Sequence, residues 1–162
     1  DCTWGAFSEI DANIFFEPTL LLYYESANEG LGLTFVDGDL CSIYPTDRPN
    51  IFTLSSVRNT PLGRYESFVE AHERMKCVCK DELLRKKTLF EEEISFFYPN
   101  FTKEYKYAGN QLSLKTKIMG ENDDRSCYVQ NNDGFIKVLS GKIDTIFYAS
   151  EEIVNIISTK EI

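Results

Sequence analysis

The sequence is poor in histidine, a residue that enzymes often use for acid–base chemistry and metal binding. Its 162 residues include one histidine, His72, one tryptophan and two methionines. A single histidine confines Ser–His or Cys–His catalysis to one position. The G-x-S-x-G, P-loop, G-x-G-x-x-G and H-E-x-x-H motifs are also missing. These absences predict a chain that is not an enzyme, holds no cofactor or metal, and takes no small-molecule substrate.

Long apolar runs and basic side chains are also scarce. No apolar run approaches the about 18 residues that span a bilayer, so we expect no membrane association. The net charge of −9 argues against nucleic acid as a partner. Residues 1–57 contain nine acids and a single base, Arg48, whereas the remainder is nearly balanced. The acidic third predicts either a solvated face or a surface that attracts a basic protein.

The five cysteines do not fall at the spacing of a zinc site, and they favour an oxidising compartment. Asn100 opens an N-x-T glycosylation sequon. The chain starts without methionine or a signal peptide, so we expect a mature secreted protein or a domain of a longer one. Extracellular location and two disulfides are therefore predicted. Their four cysteines come from the set Cys2, Cys41, Cys77, Cys79 and Cys127, with the pairing left open.

Cys77 and Cys79 lie two residues apart in a run that alternates like a strand. Residues i and i+2 of a strand point to one face at a separation that disfavours a mutual disulfide. Each would then pair elsewhere, or both would be buried free thiols.

Short alternating runs separated by turn residues dominate the chain, and they predict a mainly β fold. We expect a β-sandwich with one or two short helices, forming a single domain over residues 1–162. The best helical periodicity covers Tyr65 to Met75, and a short final helix would follow Ser150. The first predicted strands are 20–26 and 31–36, paired in a hairpin, followed by strands at 40–44, 51–57, 76–80 and 111–119. Residues 126–129 are predicted to pair with 135–139 through a turn that ends in Asp133-Gly134, and a last strand is predicted at 142–148.

Tyr23 and Glu25 are predicted to share one face of a strand inside the acidic third. A tyrosine beside a carboxylate recognises Lys and Arg through cation–π and charge-assisted contacts. The alternative for Tyr23 is an ordinary half-buried strand tyrosine. His72, in a helical run, is expected to be a structural histidine in a groove.

Several runs of the chain resemble a known family. They are Asp1-Cys2-Thr3-Trp4, Glu9 to Ala12, Phe16-Glu17-Pro18, Pro61 to Tyr65, and Ser67 to Cys79. Together they resemble the C-terminal SECRET domain of poxviral secreted tumour-necrosis-factor receptors over the whole chain. The resemblance implies a β-sandwich similar to the poxviral secreted chemokine-binding proteins. It also implies a secreted decoy that captures basic host chemokines and blocks their receptor engagement.

The same resemblance places residues 23–35 in a strand pair that contributes to the ligand face, and residues 132–138 in a later hairpin. The long acidic loop of the free-standing chemokine inhibitors has no counterpart here, nor do the receptor repeats that bind tumour necrosis factor. The alternative is a structural or assembly domain of a secreted receptor with no ligand of its own. The residues expected to contact the partner are Tyr23, Glu25, Asp37, Asp39, Glu73 and Lys137.

Overall fold

The chain forms two compact units that we describe separately. One unit comprises residues 17–115, and the other joins residues 1–16 to residues 116–162. The computed structural model describes residues 13–28, 32–36, 38, 40–119, 127–132, 134–139 and 143–159.

The unit of residues 17–115 contains most of a five-stranded sheet. Its strands lie in the order β2-β3-β4-β1-β5, so the first strand in sequence is an interior strand of the sheet. The strands are β1 (Ile14–Glu25), β2 (Leu33–Thr34), β3 (Cys41–Pro45), β4 (Ile51–Ser56) and β5 (Lys106–Ile118).

One face of this sheet is buried because apolar side chains recur at every second position. Leu20, Leu22 and Tyr24 of β1 have no exposed surface. Their neighbours on β4 continue the same face, since Leu22 lies opposite Leu54 and Tyr24 opposite Phe52. Side chains directly opposite each other on paired strands share one face. The alternation therefore defines a single apolar layer across β1 and β4.

The described helices of this unit are α1 (Phe68–Lys76), α2 (Lys80–Phe97) and the one-turn α3 (Phe101–Glu104). Helices α2 and α3 cover the apolar layer. Phe90 and Ile94 of α2 and Phe101 of α3 are fully buried in the same core cluster as the strands. Each such burial contributes about 1.5–3 kcal/mol to stability.

The aromatic side chains of this core meet mostly edge to face. The rings of Tyr24 and Phe101 lie 4.9 Å apart at 63°, and those of Phe52 and Tyr105 lie 5.2 Å apart at 83°. These geometries favour the positive edge of one ring against the negative face of the next. The core therefore fixes ring orientation as well as volume.

Strand β5 changes the face that it presents part-way along its length. Tyr107 contacts the ring of Tyr24 on the helix-covered face, and Leu112 packs against the same core. Side chains alternate between the two faces of a regular strand, so Tyr107 and Leu112, five positions apart, would be expected on opposite faces. Gly109, with φ of 153°, lies between them and provides backbone freedom for an irregularity of this kind.

The other unit contains a two-stranded sheet and a C-terminal helix. β6 (Tyr128–Asn132) pairs antiparallel with β7 (Phe135–Leu139), with Val129 opposite Val138. A 3₁₀ turn at Ile143–Thr145 then leads into α4 (Ile146–Ser158).

A small core holds the strands of this unit together. Ile118 and Leu139 are buried against Ile14 and Tyr128. The backbone N–H of Met119 also donates to the carbonyl of Asn13 at 2.7 Å. The beginning of β1 and the end of β5 therefore belong to this second core.

The β-rich fold predicted from the sequence is confirmed, with two antiparallel sheets and a few short helices. The predicted 135–139 strand matches β7, and it pairs with β6 as the predicted hairpin requires. The predicted helix of residues 65–75 matches α1 within three residues at its start. No helix in the described ranges is long and apolar enough to cross a bilayer.

The predicted hairpin between residues 20–26 and 31–36 is wrong. β2 pairs with β3, where Leu33 lies opposite Ile43, and β1 lies between β4 and β5. The turn residues at positions 28–30 suggested local pairing, but the sheet order is set by long-range burial. The surface proposed from residues 23–39 therefore does not form as a two-stranded unit.

Two other predicted strands do not form. In the run 76–80, Lys76 ends α1, Lys80 begins α2, and the three residues between them form a turn. There the N–H of Cys77 donates to the carbonyl of Glu73 at 3.0 Å. The described part of the predicted strand 142–148 is a 3₁₀ turn followed by the first turn of α4. A short alternation of apolar and polar residues is compatible with a turn or with one face of a helix as well as with a strand.

Candidate functional site

The face of the large sheet that the helices leave uncovered carries a row of hydroxyl groups. Tyr23 lies opposite Thr53, which lies opposite Tyr44 on β3. The phenol of Tyr23 donates to the side-chain oxygen of Gln111 on β5, and Tyr44 shares a hydrogen bond with Thr34 of β2. The row therefore crosses all five strands.

A cavity of about 550 Å³ opens beside this row. Its walls include Tyr23, Gln111 and Ile51, and its rim carries the charged side chains of Asp47 and Arg48. Cavities of about 300–1,000 Å³ are typical of small-molecule sites. The combination of hydroxyl, amide and apolar groups suits a polar small molecule.

A second cavity, of about 500 Å³, lies on the helix-covered side of the sheet. It is bounded by the turn after β4 and by the C-terminal half of α2. We call it the Glu93 cavity. The residues that line it are Leu40, Arg58, Asn59, Leu89, Glu92, Glu93, Phe96 and Phe97.

The carboxylate of Glu93 is held in this cavity by neutral donors. Its Oε2 accepts hydrogen bonds from Ser56 Oγ at 2.7 Å and from Asn59 Nδ2 at 2.8 Å. Its Oε1 is buried and has no hydrogen-bond partner. A buried acceptor without a donor is unfavourable.

The turn that supplies these donors is itself fixed by hydrogen bonds. The N–H of Ser56 donates to Thr60 Oγ1 at 2.9 Å, and the N–H of Asn59 donates to Ser56 Oγ at 2.9 Å. From α2, Lys86 Nζ donates to the carbonyls of Asn59 at 2.8 Å and Pro61 at 3.3 Å. Burial lowers the pKa of Lys86. The geometry around Glu93 is therefore rigid at both the turn and the helix.

Cys41 lies in the core beside this carboxylate. Burial and, secondarily, the charge of Glu93 raise the pKa of the Cys41 thiol to about 11. A thiol with a raised pKa is a poor nucleophile at neutral pH. Cys41 is therefore a structural residue in this site.

A second carboxylate of α2 reaches the core. Glu91 accepts a hydrogen bond from the Tyr24 phenol at 3.1 Å and pairs with Lys87 at 2.7 Å. Burial and the negative charge of Glu91 raise the pKa of Tyr24 well above its ordinary range. Lys87 Nζ also lies 5.6 Å from the centre of the Tyr107 ring. This network joins β1, α2 and β5.

The predicted contact residues lie on different elements. Tyr23 is half-buried and lines the cavity of the uncovered sheet face, and Glu25 is exposed at the end of β1. Glu73 is exposed on α1 and pairs with Lys76 at 2.7 Å, which lowers the pKa of its carboxyl group. Lys137 is half-buried on β7, opposite Gln130, in the other unit.

Some predicted positions cannot be placed, and the predicted disulfides do not form among the described residues. Asp37, Asp39 and Cys2 lie outside the described residues. Cys41, Cys77, Cys79 and Cys127 are free thiols.

The location of the cysteines explains why. Cys41 is enclosed in the core of the sheet, and Cys77 and Cys79 are exposed in the turn between α1 and α2. Asn100 is exposed just before α3, and its glycosylation stays a prediction, as does the extracellular location. The free thiols remove the disulfide argument for that location.

Sequence reasoning missed Glu93 because it lies in an acidic run that was assigned to a solvated face. The spacing of apolar residues along the helix would have indicated its position better than the charge run did. Glu93 lies three residues after Phe90 and four before Phe97. That spacing places it beside the apolar stripe of α2.

Comparison with known proteins finds relatives other than those that the sequence resemblance suggested. The chain is 45% identical over 157 residues to the FAD-dependent monooxygenase FPY4 of Fusarium mangiferae, covering 97% of the chain and 42% of that protein. It is 26% identical over 158 residues to the FAD-dependent monooxygenase kojA of Aspergillus flavus, covering 92% of the chain and 37% of that protein. A protein of Aspergillus oryzae named as a probable FAD-dependent monooxygenase kojA matches to the same extent. The chain thus spans about two fifths of the length of these relatives. No family model and no solved structure matches.

These matches overturn the resemblance to the poxviral SECRET domain. The predictions of a viral chemokine-binding decoy, and of a receptor assembly domain as its alternative, are wrong. So are the predictions that the chain is not an enzyme and that it takes no small-molecule substrate. The run that carried most of the resemblance, residues 61–79, folds as a loop and the amphipathic helix α1. Such a segment occurs in many folds, which explains why the local likeness misled.

The described residues do not fit the dinucleotide part of FAD. Proteins that bind a dinucleotide on a parallel sheet use a glycine-rich turn between a strand and the N-terminus of a helix. The sequence has no G-x-G-x-x-G, and both described sheets are antiparallel. No such cradle exists within the described ranges.

Proposed function

We propose that the chain is the substrate-side part of an FAD-dependent monooxygenase. The observation that carries this proposal is the 45% identity to FPY4 along 97% of the chain. An identity that extends over nearly the whole chain supports a common fold and a common role for this region.

The substrate side is favoured over the cofactor side for two reasons. The described residues contain no dinucleotide cradle, and the relatives have more than half of their length outside the matched region. That remaining length would hold the dinucleotide. The uncovered sheet face offers the hydroxyl of Tyr23, the amide of Gln111 and a cavity of about 550 Å³, which together suit a small polar substrate.

A large apolar surface on α4 supports the view that this chain works as part of a larger fold. Only Ala149 of the helix is buried. Ile143 is 91% exposed and Phe147 is 77% exposed, and Ile146, Tyr148, Val154 and Ile157 are exposed as well. Soluble proteins rarely expose so many neighbouring apolar side chains without a partner. We assign this surface to contact with the part of the flavoprotein that lies outside the matched region.

A chimera tests the proposal. The matched 157-residue region of FPY4 is replaced by this chain, and the chimera is expressed in a Fusarium mangiferae strain that lacks FPY4. Bound flavin is measured from the visible absorbance of the purified chimera, and function from the return of the metabolites that the strain has lost. We expect both flavin binding and metabolite recovery.

Two matched tyrosine variants of the chimera test the assignment of the sheet face. Tyr23→Phe removes a hydroxyl from the face, whereas Tyr98→Phe removes one that donates to Glu104. We expect Tyr23→Phe to lower metabolite recovery with flavin retained, and Tyr98→Phe to leave both unchanged. A folded chimera that binds flavin but restores nothing would contradict the proposal. Equal activity of the two variants would contradict the assignment of the face.

A further inference from the structure

The turn between α1 and α2 presents two thiols that take no part in the sheet face assigned above. Cys77 and Cys79 are exposed free cysteines, and Val78 separates them. We propose that these two side chains together bind one soft metal ion of the Cu(I) class. The proposal goes beyond the monooxygenase assignment and does not rest on it, because it depends on the chemistry of this turn alone.

The first argument is the direction of the side chains. Val78 packs against the core cluster of the large sheet, whereas the cysteines on either side of it are exposed. The caps do not use the thiols, since the backbone N–H of Cys77 makes the bonds that end α1 and Cys79 begins α2 without a side-chain hydrogen bond. Both sulfurs are therefore open to an ion from solvent, with no rearrangement of the core.

The second argument is the spacing of the two cysteines. Residues two positions apart have Cα atoms separated by about 7 Å at most. A disulfide needs its two sulfurs at about 2.05 Å, which a nearly extended pair of this kind reaches only with difficulty. Metal–thiolate bonds of about 2.3 Å allow two sulfurs on one ion to lie up to about 4.6 Å apart. The span of the turn therefore accommodates an ion between the sulfurs more readily than a direct bond.

The third argument is that the turn is fixed by the helices on both sides. Arg74 of α1 forms an ion pair with Glu82 of α2, and both side chains are largely shielded from solvent. The N–H of Val78 also donates to the carbonyl of Met75 at 3.3 Å. Ligands whose backbone is held in place before an ion arrives lose less conformational entropy when they bind it.

The fourth argument concerns the kind of ion. Thiolates select soft ions such as Cu(I), whereas carboxylates suit hard ions. Two carboxylates of these helices are already engaged, because Glu73 pairs with Lys76 and Glu82 pairs with Arg74. Among the described residues, no three His, Cys, Asp or Glu side chains are grouped so that they could hold a metal. The described residues thus lack a tetrahedral zinc site, whereas Cu(I) is stable with two thiolate ligands.

Competition for Cu(I) tests the proposal. A chain with Cys2→Ser and Cys127→Ser keeps the thiols of the turn and the buried thiol of Cys41. The reduced protein is titrated, without oxygen, into Cu(I) held by the coloured chelator bicinchoninate, and the fall in visible absorbance measures transfer of the ion. We expect one Cu(I) per chain, which an equal concentration of Zn²⁺ does not displace. The unsubstituted chain should bind its first Cu(I) with the same affinity.

Single substitutions in that background then locate the site. Cys77→Ser and Cys79→Ser each leave one thiol in the turn. We expect either change to weaken Cu(I) binding about 100-fold or more, because the second ligand no longer binds intramolecularly. Both positions are exposed, and serine is a favoured residue at the start of a helix, so the unfolding midpoint measured by circular dichroism should not fall.

Three results would overturn the proposal. One is that no Cu(I) passes from the chelator to the protein. Another is unchanged affinity in either single serine variant, which would show that the two thiols do not act together. The third is displacement of the bound Cu(I) by an equal concentration of Zn²⁺, which would require ligands other than this pair.

Discussion

The phenol of Tyr24, in the middle of the core, donates a 3.1 Å hydrogen bond to the carboxylate of Glu91 on α2. This contact joins an interior strand of the sheet to the helix that covers it. A hydrogen bond to a charged group contributes more to stability than a hydrogen bond between neutral groups. Loss of this bond would also leave a buried hydroxyl group without a partner. The pair is therefore expected to contribute measurably to folding stability.

Tyr24→Phe is expected to lower the free energy of unfolding by about 1–2 kcal/mol, because the ring remains and only the bond to Glu91 is lost. Urea denaturation followed by circular dichroism measures the change. Tyr23→Phe is the control, since the Tyr23 hydroxyl donates to Gln111 in an exposed position. An equal effect of the two substitutions would contradict the role given to Glu91.

The Cys41 thiol makes the stability of the fold sensitive to alkaline pH. Its pKa rises from 9.0 in an unperturbed thiol to about 11 in the folded chain, so the folded state favours the protonated form. The resulting stabilisation is complete below pH 9 and is lost as the pH rises through 11. It amounts to about 3 kcal/mol at most, since a difference of one pKa unit corresponds to about 1.4 kcal/mol.

Replacement of the thiol should remove this contribution. We expect urea unfolding between pH 8 and 11 to show a smaller loss of stability in Cys41→Ala than in the unsubstituted chain, under reducing conditions. The exposed thiol of Cys77 provides the control, and Cys77→Ala should keep the full pH dependence. A pH dependence that is the same in all three proteins would show that Cys41 does not titrate as described.

Gly63 is expected to be the more sensitive of two glycines with positive φ. A Cβ on Gly63, where φ is 135°, would lie 3.0 Å from the ring of Tyr65. A Cβ on Gly109, where φ is 153°, would meet nothing within 4 Å. Both alanine substitutions carry backbone strain, of about 1 kcal/mol or more. We expect Gly63→Ala to cost about 1 kcal/mol more than Gly109→Ala because of the contact with the ring.

A double-mutant cycle with Tyr65→Ala checks the cause of this difference. If the ring is responsible, Gly63→Ala should cost less in the Tyr65→Ala background than in the unsubstituted chain. Thermal or urea unfolding measures all four proteins. Additive effects would rule out the steric explanation.

The apolar surface of α4 should govern association of the isolated chain. Phe147→Ser with Val154→Ser removes two exposed side chains, and we expect less self-association in sedimentation velocity with little change in melting temperature. Val69→Ser with Leu84→Ser removes two similarly exposed side chains from α1 and α2. That control should leave association unchanged. In the FPY4 chimera, the α4 pair should also lower the amount of bound flavin.

Local patterns predicted several of the local elements, although α2 was missed entirely. The strand of residues 51–57, the helix of residues 65–75 and the pairing of β7 with the strand before it all correspond to observed elements. Each of these depends on nearby residues alone: alternation, helical period with a Ser67 cap, and a two-residue turn.

The features that the sequence did not predict depend on contacts between distant residues. Pairing of β1 with β4 rather than with β2 joins residues 22 and 54. The α4 segment is rich in β-branched and aromatic side chains, which favours strand assignment when its tertiary partner is unknown. Glu93 acquires its role only when the helix brings it against Ser56 and Asn59. The resemblance to the poxviral SECRET domain did not predict those contacts.

The unit of residues 17–115 starts in β1 and finishes in β5, and these strands are neighbours in the sheet. The side chain of Thr19 bonds to Ser113 at 2.8 Å and donates to its carbonyl at 3.0 Å, so the two ends are fastened together. A segment whose two ends lie side by side can be removed or exchanged as one piece, because the path of the flanking chain does not have to change. This geometry would let residues 17–115 diverge among related proteins independently of the flanking chain.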